Sequence, residues 1–186
     1  MGTAFEPASC DNRSMSPDSA AELRIVPATD RDVAVILRFI QGLAEYEKLS
    51  HQVEATEDLL RETLFGARRV AEVLIAYLGN EPAGFALFFH NFSTFLGRPG
   101  IYLEDLFVEP AHRGKGIGKA LLIEIAKIAK ERHCGRLEWS VLDWNQAAID
   151  FYRGLGARPL NDWTMFRVTG EVLDRLALTA STAQHR

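Results

Sequence analysis

In Arg113-Gly114-Lys115-Gly116-Ile117-Gly118, three glycines alternate with basic and apolar residues between a strand-like run and a stretch of helical periodicity. Alternate glycines let the backbone turn tightly and gather several N–H groups into one concavity. Where such a turn opens a helix, the uncapped amides and the macrodipole favour anions. Arg113 and Lys115 add two full positive charges. The chemistry on offer is the holding of a phosphate group, with a ligand-free strand-to-helix turn as the plain alternative.

Two phosphate loops are excluded by spacing. A Walker loop needs Gly, four residues, then Gly-Lys-Ser/Thr. Here Gly118-Lys119 is followed by Ala120, and Arg113 stands in the first glycine's place, so magnesium would lack its hydroxyl ligand. The dinucleotide pattern G-x-G-x-x-G fails in both registers, because Gly114-x-Gly116 ends on Lys119 and Gly116-x-Gly118 ends on Leu121. Arg113, Gly116 and Gly118 do fit the spacing Arg/Gln-x-x-Gly-x-Gly/Ala.

Just upstream, Glu104 and Asp105 interrupt the apolar run Ile101–Val108. Strand alternation sends them to opposite faces. A carboxylate in an apolar strand is costly unless it is paired or used. For Asp105 a satisfied structural acid and a working acid stay equally open; for Glu104, the nearness of the anion loop favours use. Tyr152 shares a helical face with Ile149 and Leu155 and is, taken alone, a core tyrosine. His133-Cys134 lacks the spaced partners of a zinc site, and His51, His90 and His112 are scattered without a nucleophile, so no metal is expected.

These residues need a scaffold, and 186 residues with 47% hydrophobic content suffice for one cored domain. A net charge of −4 disfavours nucleic acid as a partner. No apolar run reaches the roughly 18–20 residues that span a bilayer, so no membrane partner is expected either. Cys10 and Cys134 alone argue for a reducing compartment, and a cytoplasmic location is expected. Residues 1–20, rich in Ser, Pro, Asp and Asn, read as a disordered N-terminal extension, leaving 21–180 as a single domain.

Within that domain, Leu23–Val26 alternates as a short strand, and Thr29 with Asp32 offers a variant capping box for a helix through Leu43. Thr56 opens a second helix that Gly66 closes. Val70–Leu78 and Ala83–Phe92 form a hairpin; a Gly/Pro loop over Ser93–Gly100 leads to the strand Ile101–Val108. The glycine loop then starts a helix carrying Ile117, Leu121, Leu122, Ile125 and Ile128 on one face. Leu137–Val141 reads as a strand, Asn145–Leu155 as a helix, Met165–Val168 as a last strand and Glu171–Leu178 as a terminal helix. The order β-α-α-β-β-β-α-β-α-β is α/β, a mixed and mostly antiparallel sheet flanked by helices.

The loop spacing and this order together resemble the GNAT acetyltransferases, which bind acetyl-CoA. Tyr102–Val108 with the glycine loop, Leu43-Ala44-Glu45-Tyr46-Glu47, Trp144-Asn145 before Ile149-x-Phe151-Tyr152, and Gly156-Ala157 are similar to the spermidine/spermine (diamine/thialysine) branch. The resemblance covers about Leu23 to Ala177. It implies the GNAT fold and a homodimer. Backbone groups of Leu106, Phe107 and Val108 would hold the acetyl and pantetheine arm and an oxyanion. Arg113, Gly114, Lys115, Gly116, Ile117, Gly118 and Lys119 would wrap the pyrophosphate, with Asn145 as a further coenzyme-A contact.

The resemblance makes Tyr152 the acid that protonates the departing thiolate, a role that suits a phenol of pKa about 10. Glu104 is implied to accept the amine's proton, directly or through water. Tyr46, Glu47, Glu138, Trp139 and Ser140 match substrate-lining positions. The segment Arg158–Asp162 is shorter and less acidic than in the polyamine enzymes, with Asp162 standing in for a missing acid. The compact basic loop Ala67–Arg69 is a second departure. The expectation is therefore direct acetyl transfer from acetyl-CoA to a primary amine of a small polyamine, diamine or diamino acid such as thialysine or ornithine. A protein lysine or N-terminal acetyltransferase and a non-catalytic CoA-binding sensor are the alternatives.

Overall fold

The computed structural model describes residues 21–182, so the expected disordered extension over residues 1–20 lies outside the described residues. Two compact units divide the chain, one ending at Ser140 and one starting at Val141.

The first unit is a five-stranded sheet in sequence order: β1 (Leu23–Pro27), β2 (Glu72–Leu78), β3 (Glu81–Ser93), β4 (Arg98–Val108) and β5 (Leu137–Trp139). The first four strands are antiparallel to their neighbours, and β5 joins β4 in parallel. Between β1 and β2 lie α1 (Val33–Tyr46) and α2 (Glu57–Phe65); α3 (Ile117–Glu131) connects β4 to β5. The caps read from sequence are present. The Thr29 amide and hydroxyl both donate to the Asp32 carboxylate at 2.8 Å, and the Thr56 hydroxyl accepts from the Leu59 amide.

Each sheet face carries its own apolar layer. Val33, Ile36 and Phe39 of α1 and Leu60 and Leu64 of α2 pack with Val73, Ile75, Phe85 and Phe107. Phe39 ties this layer together, stacked 5.4 Å from Phe85 and tilted 6.0 Å from Phe107. On the other face, Ile117, Leu121, Leu122 and Ile125 of α3 are buried, and α3 packs on β3 and β4. A side chain of this size contributes about 1.5–3 kcal/mol when removed from water. That is why the 3.6-residue periodicity of α1 and α3 was so plain in the sequence.

The second unit holds α4 (Gln146–Gly154) and α5 (Gly170–Thr182). The strand expected at Met165–Val168 is not formed: among the described residues no strand follows β5, and Met165 and Phe166 are exposed. A β-branched and aromatic run becomes a strand only against a hydrogen-bonding edge, and among the described residues no strand pairs with this one. The β3–β4 hairpin departs the other way. Its ladder continues through Phe92–Pro99 and Ser93–Arg98, into what the sequence suggested was loop.

Candidate active site

Strand β4 breaks its own rhythm at Glu104. Asp105 pairs with Leu87 while Leu103 pairs with the next residue, Phe88, so Glu104 is the extra residue of a β-bulge. The bulge reverses the alternation. Leu103 lies with Phe88, whereas Asp105 and Phe107 lie with Leu87 and Phe85 on the α1 side. Here β4 also loses its other neighbour: β5 pairs with it only at Ile101, Tyr102 and Leu103. From Glu104 to Val108, that edge of β4 has no strand against it among the described residues. Main-chain groups of Leu106, Phe107 and Val108 therefore border an opening in the sheet.

Three carboxylates gather around the bulge. Glu104 is exposed, while Asp105 is partly buried and has its pKa pushed up to about 6. Desolvation is the larger cause, reinforced by the negative charges of Glu104 and Glu47. Glu47, which ends α1, is itself raised by burial. Asp105 is the functional candidate that sequence alone left undecided. Its signal was the adjacent acid pair in an apolar strand; the bulge that turns it toward α1 was invisible.

The glycine loop follows β4. Gly114 and Gly116 adopt φ of 78° and 79°, the left-handed region that favours glycine. A Cβ at either position would meet nothing within 4 Å, so the space beside both glycines is open. Gly116 is the N-cap of α3 and contributes no side-chain cap to the first-turn amides. This open, amide-lined turn at a helix start fits the pyrophosphate of a coenzyme-A group.

The basic side chains of the loop point elsewhere than expected. Arg113 folds back, its Nε donating to the Val108 carbonyl at 3.0 Å and its guanidinium lying 4.6 Å from the centre of the Tyr46 ring. Lys115 Nζ lies 3.3 Å from His112 Nδ1. The buried His112 faces Glu81 through Nε2 at 3.5 Å. Both cations thus lie beside the loop, held by Val108 and Tyr46 and by His112, and add positive charge around its main-chain amides.

The β5 candidates are tied into the sheet edge. Glu138 accepts from Asn91 Nδ2 at 2.7 Å and pairs with Arg136 at 3.0 Å, so its charge is already balanced. The Ser140 hydroxyl lies 2.7 Å from the Tyr102 hydroxyl, and Trp139 is partly buried opposite Leu103. The remaining candidates belong to the second unit. Asn145 caps α4, its Oδ1 accepting from the Ala148 amide at 3.2 Å. Tyr152 is partly buried on α4, 5.3 Å from the Phe151 ring, and Asp162 is exposed. Among the described residues no cluster of His, Cys, Asp or Glu could hold a metal, and no helix is long and apolar enough to cross a membrane.

Comparison with known proteins gives these features a context. Residues 39–157 match the family described as "Acetyltransferase (GNAT) family". The chain is 40% identical over 168 residues to thialysine N-epsilon-acetyltransferase of Bos taurus, covering 84% of this chain and 98% of that one. It is 33% identical over 198 residues to L-ornithine N5-acetyltransferase NATA1 of Arabidopsis thaliana, covering 82% and 87%. Among solved structures, an integron cassette protein from the mobile metagenome of V. cholerae superposes with a TM-score of 0.72 at 28% identity, covering 83% of this chain and 97% of that one.

Proposed function

The chain belongs to the GNAT acetyltransferase family, and on that footing we propose that it moves the acetyl group of acetyl-CoA to a side-chain amine of a small diamino acid, with thialysine and ornithine as the model acceptors. Similarity to a thialysine and an ornithine acetyltransferase supports this acceptor class over polyamines. The observation that carries the proposal is the bulge at Glu104. Beyond it β4 runs toward the glycine loop without β5 beside it, and Asp105 is turned to the α1 side, where the charge of Glu47 at the end of α1 acts on it.

Bound acetyl-CoA supplies the activated acyl group. The chain's own residues do the rest. Amides from Gly114 to Lys119 hold the pyrophosphate, and main-chain groups of Leu106, Phe107 and Val108 orient the thioester and its developing oxyanion. A primary amine is protonated at neutral pH, with a pKa of about 10, and attacks only as the free base. Glu104 takes that proton, directly or through water. Asp105, with a pKa near 6, is poised to share the task. Glu47 and Tyr46 line the amine's approach, with Trp139 and Ser140 at the sheet edge and Asp162 as a further acid. Tyr152 protonates the leaving thiolate, and Asn145 is a further coenzyme-A contact.

A cytoplasmic homodimer belongs to the same proposal. The exposed Trp163, Met165 and Phe166 are apolar surface that a second copy would cover. The test of function is thiol release from acetyl-CoA across thialysine, ornithine, lysine, putrescine, spermidine and a lysine peptide. Turnover is expected with the free diamino acids. Turnover with the peptide alone, or binding of acetyl-CoA without turnover on any amine, would overturn the proposal.

A further inference from the structure

Resting on the acetyl-CoA site just proposed, we infer that Arg113 is a positioning residue that locks the glycine loop to the last turn of α1, coupling the donor loop to the acidic end of the acceptor site. Arg113 immediately precedes the loop, yet its side chain turns away from the concavity. It makes three contacts on two elements, β4 and α1. Nε donates to the carbonyl of Val108 at the end of β4; the guanidinium covers the Tyr46 ring at 4.6 Å; and the Phe107 ring lies 5.7 Å away.

The first helix is shaped to receive it. Gly42 and Tyr46, four residues apart, share one helical face. At Gly42 a Cβ would stand 2.8 Å from Cζ of Phe107, so the missing side chain lets α1 settle onto that ring. Phe107 thus forms the floor and Tyr46 the wall against which the guanidinium rests. The next residue along is Glu47, whose carboxylate raises the pKa of Asp105.

Only arginine does both jobs at once. Its planar guanidinium stacks by its face on an aromatic ring while Nε–H donates in the plane to a carbonyl; the ammonium of lysine offers no planar face. The loop's backbone is therefore set partly by Tyr46, a residue on a different element. By linkage, phosphate binding at the loop and ordering of the α1 terminus favour one another.

The test is calorimetric binding of acetyl-CoA without any amine, using wild type, Tyr46→Leu, Tyr46→Phe, Arg113→Lys and the Tyr46→Leu/Arg113→Lys double variant. Tyr46→Leu is expected to weaken binding about three- to tenfold, and Tyr46→Phe, which keeps the ring, to stay within about twofold of wild type. Arg113→Lys leaves α1 intact and is expected to weaken binding as well, with the double variant little worse than Arg113→Lys alone. Wild-type affinity in Tyr46→Leu or Arg113→Lys, equal losses for Leu and Phe at position 46, or full additivity in the double variant would each overturn the coupling. Failure of the wild type to bind acetyl-CoA would instead refute the donor site itself.

Discussion

Leu103 and Asp105 are two residues apart on one strand and yet face opposite sides of the sheet, because Glu104 between them is a bulge. The consequence is electrostatic. Asp105 is carried to the α1 side, near Glu47, and ionises only with difficulty.

A raised carboxyl makes stability fall with pH. Between the ordinary aspartate value of 3.8 and about 6, the folded chain holds a proton on Asp105 that the unfolded chain has released. Stability conferred by that proton is present at low pH and lost as pH rises through about 6. Asp105→Asn should flatten the pH dependence of Tm between about 4 and 6 and raise Tm at pH 7. The gain is at most about 3 kcal/mol, reduced by solvent screening. A thermal melt series from pH 4 to 8 checks both, and a Tm at pH 7 that does not rise would contradict the assignment.

Glu104 sits exposed at the bulge, so Glu104→Gln should leave Tm within about 1 °C of wild type, as expected of a surface change. If it accepts the proton, kcat/KM for the amine should fall by about 10²–10⁴. Steady-state kinetics over pH 6 to 9 measures this, and an unchanged kcat/KM would move the proton to Asp105 or to solvent.

Gly116 caps α3 in a left-handed conformation with room around its missing side chain. Gly116→Val should cost about 1–2 kcal/mol through backbone strain alone. The same change crowds the open side of the loop, so acetyl-CoA affinity should fall by about tenfold or more. Chemical denaturation and calorimetry read the two effects separately; full affinity in a folded variant would show that the loop holds no phosphate.

Tyr152→Phe should lower kcat while leaving the Kd for acetyl-CoA within about twofold, because a general acid acts in the transition state rather than in binding. Rapid-quench turnover together with direct titration separates the two, and an unchanged kcat would remove Tyr152 from the chemistry.

The loop and its flanking elements were legible because glycine spacing and helical periodicity are local properties. Thr29 with Asp32, Thr56 and Gly66 marked helix ends through hydrogen bonds spanning three or four residues. The bulge was not legible, since an extra residue in β4 exists only relative to its register with β3. For the same reason the sequence could not show Arg113 folding onto Tyr46, sixty-seven positions upstream in the chain, or Glu138 being paired by Arg136 and hydrogen-bonded by Asn91. Met165–Val168 failed in the opposite direction: its strand-like composition was evident, but among the described residues no strand pairs with it.

The most direct measurement is mass spectrometry of thialysine or ornithine incubated with the enzyme and acetyl-CoA, with fragmentation to locate the new bond. Direct attack at this site predicts one acetyl group on the side-chain amine, formed in step with thiol release and with no acetyl left on the protein. Product acetylated on the α-amine, or an acetylated protein that accumulates before product, would contradict it.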